Sequence, residues 1–263
     1  MKNISPDLYS FFIPGRQGRL FSSLFTAGGN GPHPLIILLH GIPGNEKNQD
    51  FAHSFRRKGF HVLLFHYAGC WGSDGRYGLE SDIDDACSAL DHMISQADQY
   101  GIDKDRIYAV GHSLGGFVCA HLAARRSEIK AAVLLSPCDA CSLPSIEKED
   151  PTNGKVIREI MEESAPWLSD TTSGNLIGEC IEKADRLNMR SLAPKLSGKP
   201  LMTLGATRDI YTPAAQHLEP LEKAIMSIDG SKLTSHRIDS DHFYSDSRLE
   251  VAALTEEFLA RAI

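Results

Sequence analysis

The chain has 263 residues, of which 42% are hydrophobic, with ordinary amounts of glycine and proline. This size and composition suit a single large domain with a substantial core. The formal net charge is −7, and the basic residues form no stripe, which argues against a nucleic-acid partner and against a basic membrane-surface helix. The longest purely apolar runs, among them residues 35–39, are far shorter than the roughly 20 residues that a membrane-spanning helix needs.

The N-terminal stretch and the cysteines bear on the compartment. Residues 1–15 contain one lysine and only short apolar pieces, so they lack the apolar segment of a signal peptide. We therefore expect a cytoplasmic protein whose six cysteines are free thiols. Cys138 and Cys141 have the spacing of a redox or metal pair, but no second pair and no matching histidines accompany them. A structural role is predicted for both.

Predicted strands and helices alternate along much of the chain. The pattern over residues 19–27 predicts an early antiparallel strand or hairpin, and the apolar run at 35–39 predicts a strand buried on both faces. Further strands are predicted at 60–65, 106–110, 131–135, 200–204 and 233–238, and helices at 47–58, 82–100, 114–126, 213–226 and 248–262. This alternation is typical of α/β proteins with a mostly parallel sheet and helices on both faces.

Regular alternation stops in the middle of the chain. Residues 136–196 are polar, and their apolar positions have helical rather than strand spacing. The stretch is too long to be a structureless connection in a compact domain. We predict that residues 1–136 and 197–263 form the core and that residues 137–196 form an inserted segment, called the cap below.

The sequence Gly-His-Ser-Leu-Gly at residues 111–115 fits the pattern G-x-S-x-G. It lies between the predicted strand at 106–110 and the predicted helix that begins at 114. A sharp turn at such a junction forces the serine into a strained backbone region and exposes its hydroxyl, while glycines two residues away avoid collisions. Ser113 is therefore the predicted nucleophile.

A serine hydroxyl needs a base to become a good nucleophile. His112 is adjacent, but neighbouring side chains on this turn diverge, so it cannot readily reach the Ser113 hydroxyl. His242 follows the last predicted strand and precedes the closing helix. That position puts His242 on a loop at the carboxyl end of the sheet, on the same side as Ser113, and makes it the predicted base.

An acid is needed to orient the imidazole and to stabilise its charged form. Asp209, after the predicted strand at 200–204, is the favoured residue, and Asp139, after the strand at 131–135, is the alternative. Asp239 and Asp241 are too near His242 in the chain to face its Nδ1. The order serine, aspartate, histidine differs from that of chymotrypsin and of subtilisin.

Acyl transfer also needs hydrogen-bond donors for the developing oxyanion. The sequence His-Gly-Ile-Pro-Gly at residues 40–44 directly follows the first buried strand. A turn there can direct the Ile42 N–H at the site, together with the Leu114 N–H beside Ser113, whereas Pro43 has no N–H to donate. We expect His40 to brace this loop.

In these motifs, residues 40–44 and 111–115 with Asp209 and His242, the chain resembles the α/β-hydrolase superfamily over nearly its whole length. Gly-Ser-Asp-Gly at residues 72–75 is similar to a turn common in that family. Within it, the chain looks most like small feruloyl or cinnamoyl esterases and serine-aminopeptidase-like members, which carry a cap where residues 137–195 lie. The resemblance implies an α/β-hydrolase fold of eight strands, the second antiparallel, and no metal or organic cofactor.

The resemblance also implies a two-step reaction through an acyl-enzyme on Ser113, released by water that His242 activates. We predict a carboxylic ester hydrolase for small-to-medium esters, aromatic acyl esters included. An amidase or aminopeptidase-like enzyme is the alternative, which an acidic pocket for a free amine would favour; a binding protein on this fold is a third. Trp167 and Met161 are candidates to line the substrate pocket, or else to attach the cap. The expected partner is a small ester, with a homo-oligomer left open.

Overall fold

A computed structural model describes residues 3–262. Its centre is an eight-stranded sheet with the strand order β8-β7-β6-β5-β3-β4-β2-β1. The strands are β1 Asp7–Gly15, β2 Gly18–Thr26, β3 His33–Leu39, β4 His61–Phe65, β5 Ile102–His112, β6 Ile129–Leu135, β7 Leu201–Ala206 and β8 Leu233–Ile238. Two short strands outside this sheet, Asn3–Ile4 and Gly29–Asn30, pair with each other.

The pairing confirms the predicted sheet. Strand β2 runs antiparallel to its neighbours β1 and β4, and the other neighbouring strands are parallel. Strand β3 has β4 on one side and β5 on the other, so the chain changes direction across the sheet at this point. In open α/β sheets, the crevice at the carboxyl ends of such strands is the usual ligand site.

Strand β1 is the main element that the sequence patterns did not predict. It lies at the edge of the sheet, and Ile13 is its only fully buried residue. Leu8, Tyr9 and Phe12 are all exposed, so the alternation that marks a half-buried strand is weak here. The predicted strand at 19–27 is β2, the second arm of this hairpin.

The helices of the core are α1 Gln49–Arg57, α2 Leu79–Ser95, α3 Ala97–Tyr100, α4 Leu114–Arg125, α10 Ala214–His217, α11 Glu219–Met226 and α12 Arg248–Arg261. The predicted helix at 213–226 is divided in two, and Pro220 lies in the first turn of the second piece, where its missing N–H is tolerated. In the part of the chain that is described, none of the helices has the length and apolarity that would be needed to traverse a bilayer.

All the regular secondary structure of the cap is helical. It contains α5 Leu143–Glu149, α6 Pro151–Ser164, α7 Ser173–Glu182, α8 Ala184–Leu187 and α9 Ala193–Leu196, with 3-10 turns at Ala140–Ser142, Ala165–Trp167 and Met189–Leu192. The helical spacing predicted for this stretch is therefore present. The exact boundaries of the cap remain a prediction.

Two apolar clusters lie on opposite faces of the sheet. Leu35, Ile37 and Leu39 of β3 point to the face covered by α2, α4 and the cap, whereas Ile36 and Leu38 point to the face covered by α1 and α12. Successive side chains on a strand alternate between faces. Because both faces are covered, residues 35–39 of β3 are apolar without interruption. All six cysteines are free, and Cys138 and Cys141 are among the five that are fully buried.

Hydrogen bonds connect the cap to the core. Glu179 of α7 accepts hydrogen bonds from the backbone N–H groups of Leu79, at 2.9 Å, and Glu80, at 2.8 Å. These are the first residues of α2, whose preceding residue, Gly78, has no side chain to cap the helix. A residue of the cap thus satisfies the free N–H groups that begin a helix of the core.

Candidate active site

Ser113 occupies the turn between β5 and α4. Its backbone angles are φ 57° and ψ −126°, a conformation that a side-chain-bearing residue rarely adopts. The turn is held on both sides: the Ser113 N–H donates to Leu135 O at 3.0 Å, and the Cys138 N–H donates to Ser113 O at 2.9 Å. Neighbouring strand β6 and the loop after it therefore stabilise the strained turn.

The glycines around Ser113 are explained by close backbone approach. A Cβ atom on Gly111 would lie 2.0 Å from the carbonyl oxygen of Gly115, and one on Gly115 would lie 2.1 Å from the carbonyl oxygen of Leu39. Real Cβ atoms do not come so near to backbone oxygens. The pattern G-x-S-x-G is thus required by the packing of α4 against β5 and β3.

We expect Gly115→Ala to lower the free energy of unfolding by about 3 kcal/mol or more, because backbone atoms on both sides would have to move. Denaturant unfolding followed by circular dichroism measures the change. The matched control is Gly178→Ala on α7, where an added Cβ meets nothing within 4 Å and should stabilise the helix by roughly 0.5–1 kcal/mol. Equal stabilities for the two variants would contradict this account.

The structure brings Asp209 and His242 together. His242 Nδ1 lies 2.7 Å from Asp209 Oδ2, and both side chains are buried. The other oxygen, Asp209 Oδ1, accepts the N–H groups of Tyr211 and Thr212, both at 2.9 Å. Burial alone would raise the pKa of Asp209, but the hydrogen bonds from His242 and Thr212 outweigh it and lower the pKa to about 2.

This arrangement sets the tautomer of the histidine. An ionised carboxylate can only accept, so the proton of a neutral His242 ring lies on Nδ1. The second nitrogen, Nε2, is then free to accept a proton on the side of the ring away from Asp209. A histidine held in this way is suited to act as a general base.

The other aspartates considered as the catalytic acid form hydrogen bonds or ion pairs with residues other than His242. Asp139 Oδ2 accepts hydrogen bonds from the Ser142 hydroxyl at 2.6 Å and from the Met189 N–H at 3.0 Å, and burial raises the pKa of Asp139 to about 7. Asp239 pairs with Arg208, and Asp241 accepts backbone N–H groups of its own loop. Of the four aspartates considered, Asp209 is the one that reaches the His242 ring.

Two further buried histidines support the loops around the site. The ring Nε2 of His112 lies 2.8 Å from the carbonyl oxygen of His242, and burial lowers the pKa of His112 to about 3. His40 Nδ1 lies 2.7 Å from the carbonyl oxygen of Gly41, and burial lowers the pKa of His40 to about 4. Carbonyl oxygens only accept, so each ring donates from the nitrogen named. The lowered pKa values keep both rings neutral, and their role is to hold the backbone in place.

The loop after β3 runs beside the serine. A Cβ atom on Gly41 would lie 2.9 Å from Ser113 Cβ and 3.3 Å from Ser113 Oγ. The backbone N–H groups of Ile42 and Leu114 donate no hydrogen bond to any residue in the described range 3–262. Leu114 is the first residue of α4, so its N–H has no acceptor within the helix. Two unused donors next to Ser113 are what an oxyanion hole requires.

A cavity of about 300 Å³ opens over Ser113 and His242. Its walls come from the loop at residues 41–46, from α6 and the following turn of the cap, and from Tyr211 and Phe243. Within residues 3–262 the Ser113 hydroxyl makes no hydrogen bond, so Ser113 and His242 are not hydrogen-bonded to each other in this conformation. Such contacts are often long in unliganded enzymes and tighten when substrate binds.

The two candidate substrate-binding residues have different positions. Trp167 lines the cavity, is 63% exposed, and stacks on Trp71 of the core with ring centroids 6.2 Å apart. Met161 does not line the cavity, so its placement in the substrate pocket is wrong; it is fully buried in the apolar cluster beneath α6, which fits the alternative that it attaches the cap. Ile160 lines the cavity instead, because consecutive residues of a helix point about 100° apart.

The sequence patterns did not single out one residue that contacts the Asp209–His242 pair, Thr212, or two charged residues of the cavity wall, Glu46 and Glu163. Thr212 donates through its hydroxyl to Asp209 Oδ2 at 2.9 Å and lies 3.2 Å from His242 Nδ1, and its place three residues after Asp209 is a turn signal that could have been used. Glu46 and Glu163 line the cavity. They are far apart in the chain, and only the docking of α6 over the loop at residues 41–46 brings them to one cavity.

The comparisons with known proteins agree with this fold. Residues 34–179, more than half of the chain, match the family model described as the alpha/beta hydrolase fold. The chain therefore belongs to the α/β-hydrolase family, with esterases and peptidases among its relatives.

Among curated proteins, an uncharacterised protein of Mycobacterium tuberculosis is 34% identical over 43% of this chain and 38% of its own length. The esterase EstD of Thermotoga maritima is 22% identical over 63% of this chain and 38% of its own length. The aligned regions thus span about two-fifths of these relatives.

Among solved structures, Est1E from Butyrivibrio proteoclasticus with ferulic acid bound superposes with a TM-score of 0.71 at 22% identity, covering 96% of this chain and 98% of that one. The acylaminoacyl peptidase of Pyrococcus horikoshii has a TM-score of 0.70 at 15% identity, covering 100% of this chain and 42% of that one. Both structural similarities show a shared fold.

Proposed function

We propose that the protein is a serine hydrolase that cleaves small-to-medium carboxylic esters, aromatic acyl esters included. The observation that carries the proposal is the buried 2.7 Å contact between His242 and Asp209, at a cavity whose floor includes Ser113 on a strained turn. The esterase EstD among the curated relatives supports the same bond type.

In the proposed reaction, His242 Nε2 accepts the hydroxyl proton of Ser113 as Oγ attacks the ester carbonyl. The N–H groups of Ile42 and Leu114 stabilise the oxyanion of the tetrahedral intermediate, which collapses as His242 returns the proton to the departing alcohol. Water then attacks the acyl-enzyme with His242 again as base, the carboxylic acid leaves, and Ser113 regains its proton. Asp209 remains ionised and stabilises the imidazolium.

The test is a panel of p-nitrophenyl esters of increasing acyl length together with methyl ferulate, assayed for kcat/KM. A fluorophosphonate probe, which labels activated serines, is used in parallel to identify the modified residue by peptide mass spectrometry. We expect turnover of at least one ester and labelling at Ser113. Absence of both would contradict the proposal.

A second candidate, an aminopeptidase-like or amidase activity with the same three residues, is favoured by the charge of the cavity. Glu46, from the loop at residues 41–46, and Glu163, from α6, both line the cavity, and neither lysine nor arginine is among its described lining residues. Neither carboxylate forms an ion pair within the described part of the chain. The exposed faces of Trp167 and Tyr211 also attract cations. These groups suit a substrate with a free amine.

A matched pair of substrates distinguishes the two candidates: an aminoacyl p-nitroanilide and its N-acetyl derivative. If the second candidate is right, the free amine is preferred, and Glu163→Gln lowers kcat/KM about tenfold for that substrate only, since a hydrogen bond to a charged group is worth roughly 1.5–3 kcal/mol. Glu162→Gln, an exposed neighbour that does not line the cavity, is the control. Equal rates for both substrates in all variants would exclude the amine-binding role.

A further inference from the structure

A buried hydrogen-bonded pair, Asn153 of the cap and His217 of α10, connects the cap to the loop that carries Asp209. Asn153 is 4% exposed and His217 is 1% exposed. Asn153 Oδ1 lies 2.9 Å from His217 Nε2, and Asn153 Nδ2 donates to the carbonyl oxygen of Tyr211 at 3.0 Å. The two side chains therefore bridge α6, α10 and the turn after Asp209.

The donor and acceptor roles along this connection are mutually consistent. The backbone N–H of Asp139 can only donate, and it lies 3.1 Å from His217 Nδ1. His217 Nδ1 must then be unprotonated, so Nε2 carries the hydrogen and donates to Asn153 Oδ1. This leaves the Asn153 amide group to donate to Tyr211 O, which can only accept. Burial, the main cause, lowers the pKa of His217 to about 4 and keeps the ring neutral.

The residue that Asn153 holds is itself bonded to the predicted catalytic acid. The Tyr211 N–H donates to Asp209 Oδ1 at 2.9 Å, while its carbonyl oxygen receives the Asn153 amide. A second contact runs beside the first, since Gln216 Nε2 donates to Asp150 Oδ2 at 3.2 Å, and Asp150 also caps α6 by accepting the Asn153 N–H at 3.1 Å. The N-terminus of α6 thus hydrogen-bonds both to Tyr211, in the turn after Asp209, and to Gln216 of α10.

We propose that Asn153 is a positioning residue: through Tyr211 it holds the turn after Asp209 so that the Asp209 carboxylate stays aligned with His242. This inference rests on the proposed function. It assigns the cap a role in holding the reacting groups, in addition to covering the cavity. A small displacement of the acid tilts the His242 ring, and misplacement by about 1 Å can cost up to 10²-fold in rate.

The test compares Asn153→Ala and Asn153→Leu with the wild type on the best ester of the panel. The leucine variant keeps the number and branching of the heavy atoms but is larger than asparagine, whereas the alanine variant is smaller, and both lose the two hydrogen bonds. A similar loss of kcat in both variants therefore reports the hydrogen bonds and not a change of packing in one direction. We expect kcat per active site, counted by fluorophosphonate titration, to fall about 10-fold to 100-fold in both variants, with KM within about threefold. The downfield proton resonance of the His242–Asp209 hydrogen bond should weaken or shift.

Two further variants complete the design. His217→Gln can still donate to Asn153 and accept from Asp139, so it should retain most of the activity; this variant keeps the proposal testable if the Asn153 variants do not fold. Asn175→Ala, an exposed asparagine on α7 of the cap, should leave kcat unchanged.

Failure of the inference about Asn153 can be distinguished from failure of the proposed function. If the wild type hydrolyses esters through Ser113 and the folded Asn153 variants keep kcat and the downfield resonance, with only their melting temperature lowered, Asn153 has a structural role and the proposal is overturned. Loss of activity in His217→Gln equal to that in Asn153→Leu, with both proteins folded, would also contradict it. If the wild type itself shows no turnover that depends on Ser113, the proposed function fails first.

Discussion

Replacing Ser113 with alanine should lower kcat for p-nitrophenyl acetate by about 10⁴-fold or more, because no covalent intermediate can form and only binding and oxyanion stabilisation remain. KM should change little, since the hydroxyl contributes little to substrate binding. Steady-state kinetics and the loss of fluorophosphonate labelling measure the effect.

The serine control is Ser145→Ala. Ser145 is exposed on α5 of the cap, and among residues 3–262 its hydroxyl hydrogen-bonds only to the backbone oxygen of Ser142. This variant should behave as the wild type. If wild type and Ser113→Ala hydrolyse the ester equally slowly, the enzymatic proposal fails, and a binding role on a hydrolase fold becomes the better explanation.

Asp209→Asn should lower kcat by about 10⁴-fold, with little change in the fold. The asparagine amide can donate to His242 Nδ1, which favours the tautomer with its hydrogen on Nε2, and that tautomer cannot accept a proton from Ser113. The charge that stabilises the imidazolium is lost as well. Both effects fall on kcat, and stopped-flow measurement of the acylation step should show the loss directly.

Asp139→Asn is the matched control for this prediction. Asp139 is also buried and also follows a strand of the sheet, but its carboxylate bonds to Ser142 and Met189 and not to His242. We expect its kcat to stay within about tenfold of the wild type, any loss arising from repacking beneath the cap. A near-normal rate for Asp209→Asn with a large loss for Asp139→Asn would reassign the acid.

The sheet was largely predictable because its signal is local. The apolar run of β3 is a contiguous stretch of sequence that reflects burial on both faces of the sheet. The pattern around Ser113 is also contiguous, and its glycines reflect the close approach of backbone segments. Edge strand β1 was missed for the opposite reason: with Ile13 alone fully buried, its pattern carries little hydrophobic alternation.

The candidate catalytic residues could be nominated from topology, whereas the residues that line the cavity could not. A residue just after a parallel strand must lie at the carboxyl edge of the sheet, which is enough to nominate Asp209 and His242. Which face of α6 meets the cavity depends on how the cap docks, and this is why Ile160 and not Met161 lines it. The same docking decides the positions of Glu46 and Glu163.

The side chain of Glu179 has a consequence for engineering. Its two oxygens complete the first turn of α2, a helix formed by residues that lie about a hundred positions earlier in the chain. Exchanging the cap for that of another hydrolase would therefore remove a stabilising partner from a helix outside the exchanged segment. A successful chimera should require an acidic side chain at the equivalent place, or a serine or aspartate in place of Gly78 to supply the lost acceptor locally.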